Sequence, residues 1–356
     1  MKSNYETMDA LVAKVQALEA RKHDVIADTR KLVFAEPDAE HSGDWLQIER
    51  DGNYPVTEFA SGQVMDGVGI PRRYAAEARK VPGLVAHNVN AWFQQAPQKR
   101  LVRAYTDGPV RAFLSNSYKP MDNSWALEAI MPVLMQHQDL AVMSRVLTES
   151  RLYLQVGFQN MVEEVKQGDP VMWGLAVSTS EVGLGAFDIA TMTWNLACTN
   201  GAIGGTVMRK VHLGRPMQDD GDLWQRDTIL ANMKALQLMA RDAVAAAVDQ
   251  GKFLQVVGAM RAGREDRIAD LPAVVRNIPT VFDVSEEQAQ VVAANMISTG
   301  EFNRYGLGQG LTWLAHEIDN RDRAFDLEKA GYGLLAESDG WREVTKPARN
   351  VTPSNN

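Results

Sequence analysis

Basic and aromatic side chains crowd one stretch of this otherwise acidic chain, and that combination suits the gripping of a single polynucleotide strand. Between residues 99 and 119 stand Lys99, Arg100, Arg103, Arg111 and Lys119 against Asp107, a local charge of about +4, whereas all 356 residues together carry a formal charge of -8. A field of that overall sign repels phosphate, so any nucleic-acid contact has to be a local patch. Arg103 precedes the turn Asp107-Gly108-Pro109 and Arg111 follows it, so a hairpin would set both guanidinium groups on one face. Tyr105 and Tyr118 stand close by for stacking on bases. The competing reading is a solvated sheet edge whose basic side chains keep it from pairing with another copy.

A second basic group, Arg209, Lys210, His212 and Arg215, lies in MRKVHLGR. Arginine forks and a protonated imidazole suit phosphate, yet Asp219, Asp220 and Asp222 follow at once, and internal ion pairing explains the run equally well. The glycine pairs of EVGLGAF and TNGAIGGT lack the third glycine and following helix of a nucleotide loop. Ser178 to Glu181 and Asn200-Gly201 read instead as hairpin connections. For catalysis there is no HExxH, no zinc spacing and no GxSxG. Cys198 is expected to be a small buried side chain in a strand. His316, Glu317, Asp319 and Asp322 are the residues that could hold a divalent ion in a hydrolase, with interleaved Arg321 and Arg323 favouring plain solvated helix charge. No catalytic residue, metal ligand or cofactor is assigned.

The elements that must position these groups follow from periodicity. Met8, Leu11, Val12, Val15 and Leu18 form one stripe, which predicts an amphipathic helix from Tyr5 to about Leu32. Residues 43–60 read as loops with a strand or two. Helices are expected after Pro71 and again after Pro82, where Leu84, Val85, Asn88 and Trp92 recur at helical spacing. RLVRAYT, VRAFLS, RLYLQVGF, PVMWGLAVSTS and AFDIATMTWNLACT predict a mostly antiparallel sheet of about five strands. One helical insertion lies between Asn123 and Thr148. The last third is helical, with Asp222 opening a long segment to about Met260 and Ser285 with Gln288 forming a capping box. The tryptophans, Trp92 among them, sit amid apolar neighbours and read as core or interface. The fold class is therefore α+β, a central sheet flanked by N-terminal and C-terminal helices. The division expected is a lead-in over 1–60, one α+β domain over 61–340 and a disordered tail over 341–356.

Composition sets the surroundings. A 45% hydrophobic and 23% charged chain folds without staples. One cysteine allows no internal disulfide and fits a reducing, cytoplasmic compartment. No basic segment leading into an apolar run opens the chain, and no run of about 18 apolar residues occurs, so neither secretion nor a membrane is expected.

Six blocks occur in order: GIPRRY, NVNAWF, VRAFLSNSYKPMDN, STSEVGLGAFDIATMTWNLACTNGAIG, RKVHLG and GLGQGLTWLAHEIDNRDRAFDLEKAGYGLL. From about Ser61 to Leu335 the chain resembles the phage/plasmid-like protein family, a domain of unknown function (nine hundred and thirty-two). The resemblance implies a gene carried by phages, prophages or plasmids near replication and recombination genes, and no mechanism. Joined to the basic segments, it leads us to expect single-stranded DNA binding or strand annealing by a non-enzymatic protein that forms oligomers. The residues assigned are Arg103, Arg111, Tyr118, Lys119, Arg209, Lys210, His212 and Arg215. A protein that binds and modulates a host defence or replication enzyme is the alternative, since an acidic surface mimics nucleic acid.

Overall fold

The computed structural model describes residues 8–38, 42–118, 121–210 and 226–347. The first helix, α1 (Met8–Ala20), buries Leu11 and Val15 as its stripe predicts but ends twelve residues early. In place of its last turns runs a strand, β1 (Lys22–Asp28), drawn out by pairing rather than propensity. Its partner is β5 (Lys99–Tyr105), with Asp24 directly opposite Arg103. β6 (Val110–Ser115) completes this three-stranded antiparallel sheet in the order β1-β5-β6.

A short 3-10 turn (Thr29–Lys31) leads from β1 into a second sheet of β2 (Leu32–Ala35), β3 (Trp45–Ile48) and β4 (Gly52–Pro55). Three helices pack around it: α2 (Glu58–Gly67), capped by Thr57, α3 (Arg72–Ala78) and α4 (Leu84–Gln95). Phe34, Leu46, Val64, Val89, Phe93 and Phe113 share one core with Ala27, so residues before and after position 60 are woven together by pairing and by packing.

The five-stranded antiparallel sheet has the order β11-β10-β9-β8-β7. It comprises β7 (Leu140–Leu147), β8 (Leu152–Lys166), β9 (Asp169–Thr179), β10 (Phe187–Asn195) and β11 (Asn200–Lys210). The strand number matches expectation but the membership differs. RLVRAYT and VRAFLS belong to the small sheet, while LAVMSRVL and NGAIGGTVMRK close the large one. Side chains alternate across it. Leu152, Leu154, Val156, Trp173, Leu175 and Ile189 pack against α5 (Asn123–Leu134), α6 (Arg226–Ala247) and α7 (Gln250–Gly263). Tyr153, Ala176, Ala190 and Met192 meet Phe325 of α11 (Arg321–Tyr332) on the reverse face. Both faces are covered, which explains why these strands read as nearly continuous apolar runs.

The remaining helices are α8 (Leu271–Phe282), α9 (Glu286–Thr299), α10 (Arg304–Glu317) and α12 (Trp341–Val344). Ser285 and Gln288 form the expected capping box. Asp222 lies outside the described residues, and the expected long helix is two, with Asp249 capping the second. Val344 is buried in the C-terminal helical core, so the part of the expected tail that is described is folded. No helix among the described residues is long and apolar enough to cross a membrane.

Gly174 faces Gly157 across β9 and β8, and a Cβ there would meet the Val156 carbonyl oxygen at 2.1 Å. That contact is with backbone inside a covered sheet and has nowhere to yield. Gly174→Ala should therefore cost about 3 kcal/mol or more, read as a lowered midpoint in urea unfolding.

Candidate nucleic-acid interface

Arg103 and Arg111 do lie on one face of their hairpin and converge on one residue, but they do so inside the protein. Arg103 is 0% exposed. Its Nε and Nη2 donate to the Asp24 carboxylate at 2.8 to 3.1 Å, Nη2 donates to Asp122 Oδ1 at 2.8 Å, and Nη1 donates to the Glu181 carbonyl at 2.8 Å. Burial works against its charge, yet Asp122 and Asp24 outweigh that and raise its pKa above the ordinary arginine value. Arg111, 6% exposed, is paired with the Glu181 carboxylate and lies over the Tyr105 ring, 4.8 Å from its centroid. Glu181 also accepts from the backbone N–H of Asn123, at the start of α5.

Tyr118 is buried too, donating to the Ser180 carbonyl at 3.1 Å. The assignment of Arg103, Arg111 and Tyr118 to a nucleic-acid surface is thus corrected. The carboxylates that claim the two arginines are remote in sequence, at Asp24, Asp122 and Glu181, so counting charges along 99–119 could not reveal them. Arg209 and Lys210 are exposed at the end of β11 and make no ion pair among the described residues. Lys119, His212 and Arg215 lie outside those residues.

Two neighbours in the same basic stretch have a different fate. Arg100, at the start of β5, is half buried and faces no carboxylate among the described residues. Its Nη2 donates to the Gly67 carbonyl at 2.7 Å and to Gln98 Oε1 at 2.6 Å, leaving Nε and Nη1 without a hydrogen bond. Burial alone lowers its pKa, with no anion to offset it. It lines a cavity of about 240 Å³ with Phe93, Phe113 and Trp92. Trp92 is 50% exposed, because Val85, Val89 and Phe93 form the buried face of α4 and turn it outward. Of the two readings of the tryptophans, core or interface, the exposed face of Trp92 excludes the core.

Thr29 lines that cavity, and the residues that follow it in the chain, Arg30 and Lys31, line a separate open groove of about 640 Å³ together with Arg50. Lys99 is exposed beside Arg100. The groove's three cations share its lining with two carboxylates, Glu49 and Asp51. Arg30 is held by Asp28, whose pKa is pulled down to about 2 by that contact, and Lys31 lies a loose 3.9 Å from Glu49. Arg50 makes no ion pair among the described residues. Composition could have found Lys99 and Arg100; only folding brings Arg30, Lys31 and Arg50 beside them.

The acidic group near α10 does not gather. Asp322 accepts from Tyr153 and stands 3.7 Å from Arg151, and no three His, Cys, Asp or Glu side chains among the described residues are placed to hold a metal ion. Cys198 lies in the turn between β10 and β11, partly exposed, instead of inside a strand. No family model, curated protein or solved structure matches the chain.

Replacing Arg103 by Met takes the ion-pair partner from Asp24 and leaves Asp122 with Lys22 alone, and should cost about 3 to 5 kcal/mol in chemical unfolding. Burial opposes ionisation of Asp122, but Arg103 and Lys22 outweigh it and hold its pKa below the ordinary 3.8. The stability this supplies is complete above that value and is lost as pH falls through the lower folded pKa. Arg103→Met should flatten that acid-side loss in a pH series of unfolding curves.

Proposed function

We propose that this protein binds single-stranded nucleic acid at the N-terminal cleft, with one base stacked on Trp92 and the backbone running along Arg100 toward Arg30, Lys31 and Arg50. The observation that carries the reading is Arg100: a half-buried cation facing no carboxylate among the described residues, with the N–H donors of Nε and Nη1 unused, in a cavity floored by Phe93 and Phe113. Burying a charge without a counter-ion costs free energy that an arriving phosphate offsets. A half-exposed indole beside it supplies a sequence-tolerant stacking platform, worth about 1 to 3 kcal/mol per base. The cavity takes one base, and Arg30 and Lys31, next in the chain after Thr29 of the cavity, line a groove with Arg50 that suits further phosphates, which favours a strand over a free nucleotide. The resemblance to the phage/plasmid-like family supports the same reading as context, since strand binding and annealing serve recombination and replication.

A protein partner is the second reading, favoured by the exposed Leu230, Leu238 and Met239 on α6. A host enzyme could dock there without using the cleft.

Anisotropy titration of a labelled 20-nucleotide oligothymidine at low salt tests the first reading. Binding is expected at tens of micromolar or tighter, weakening on a log–log salt plot with a slope of about 2, or roughly 0.7 per phosphate contact. Trp92→Ala and Arg100→Glu should each weaken it about tenfold. Absence of binding, equal affinity for thymidine monophosphate, or unchanged binding by both variants would overturn the proposal. Loss only on replacing Arg209 and Lys210 would do the same, by moving the contact to β11.

A further inference from the structure

Helix α3 buries Ala75 and Ala78 and turns Tyr74 outward, 48% exposed, much as α4 turns out Trp92. The two rings belong to one surface. Asn88 Nδ2 donates to the Tyr74 hydroxyl at 3.1 Å, and Asn88 stands on α4 four residues before Trp92. Residues four apart share a face of a helix, so Tyr74, Asn88 and Trp92 follow one another along the outside of α4. Four residues rise about 6 Å. The cavity that holds Arg100 is lined by Ala96 and Gln98, at the C-terminal end of α4, so Tyr74 lies on the other side of Trp92 from it.

Charge is the second observation. From 72 to 80 the chain carries Arg72, Arg73, Arg79 and Lys80 against Glu77. Arg72 is held by Asp66, Arg79 by Asp44 and Lys80 by Glu77, each at 2.6 Å. Arg73, next to Tyr74, is exposed and makes no ion pair among the described residues. A phenol ring open to solvent beside a guanidinium that faces no carboxylate is the pairing that takes a base together with the phosphate attached to it.

We propose that the bound strand continues past Trp92 along the outside of α4 to a second stacking site, one base lying on Tyr74 and its phosphate meeting Arg73. The inference rests on the cleft reading and extends it in the opposite direction from Arg100. Stacked bases stand about 3.4 Å apart along a strand, so rings separated by a helical turn take bases that have come away from one another. A duplex keeps its bases stacked and offers none to either ring. Every base has a face to lay on a ring, so the track tolerates sequence.

The test uses the whole protein and the same labelled oligothymidine. Tyr74→Ala should weaken binding about tenfold, the low end of what one stacked base contributes. Tyr74→Phe, which keeps the ring, should recover most of that loss, and a thermal melt of each variant shows that it is folded. Arg73→Ala should reduce the salt slope by about 0.7, one phosphate contact. With 5-iodouracil in place of thymine, ultraviolet light should crosslink the wild-type protein at both Trp92 and Tyr74, a result that stands even if a variant does not fold. Crosslinks at Trp92 alone, or undiminished affinity in folded Tyr74→Ala, would overturn the second stacking site and leave the cleft reading in place. An equal loss in Tyr74→Phe would also overturn it, by assigning the effect to the hydroxyl that holds Asn88. Wild-type protein that does not bind the oligonucleotide removes both.

Discussion

The buried guanidinium of Arg103 determines how the two halves of this molecule sit together. Its partners come from β1, from the residue before α5, and from the loop between β9 and β10. A charge with no exposure is tolerable only when its donors are met and its sign is balanced. Sliding the small sheet against the large one would break several of those bonds together. Apolar contacts around it, Leu101, Leu114, Tyr118 and Val182, supply attraction but little direction. The ion pairs supply the geometry. Arg111 on Glu181 and Lys22 on Asp122 extend the same joint.

That joint also explains why cations from one stretch of chain end so differently. Strand β5 carries Arg103 at its centre, opposite Asp24 and against the large sheet, while Arg100 and Lys99 stand at its start, beyond the reach of those carboxylates. The start of β5 adjoins the turn Thr29–Lys31, so cations from 30, 31 and 50 gather there. One strand thus serves assembly at its middle and faces solvent at its end.

Two concavities of this fold differ in what lines them. At the N-terminal cleft a guanidinium faces no carboxylate among the described residues, and aromatic rings surround it. At the end of the large sheet Lys166, Asp169 and Glu301 line the second, with Lys166 paired to Glu301. Each is made where strands end and helices cover them, since strand interiors here are buried on both faces.

Much of the fold was legible from periodicity and punctuation. The α+β class, the Leu11 and Val15 stripe, the helices after Pro71 and Pro82, and the Ser285 capping box rest on interactions within about a turn of chain. Strand β1 was not legible, because Lys22–Asp28 is extended by β5, about eighty residues away in sequence. Nor was the split of the central strands into two sheets, since an apolar alternation states that a face is buried and not against what. The candidate site divides the same way. The amino-acid sequence by itself determined that positive charge concentrates between 99 and 119 and that no metal or nucleophile motif is spelled out. Only the tertiary structure decided which of those charges face water, because a side chain's exposure depends on carboxylates and surfaces brought in from elsewhere, and Coulomb attraction acts across space without regard to chain order.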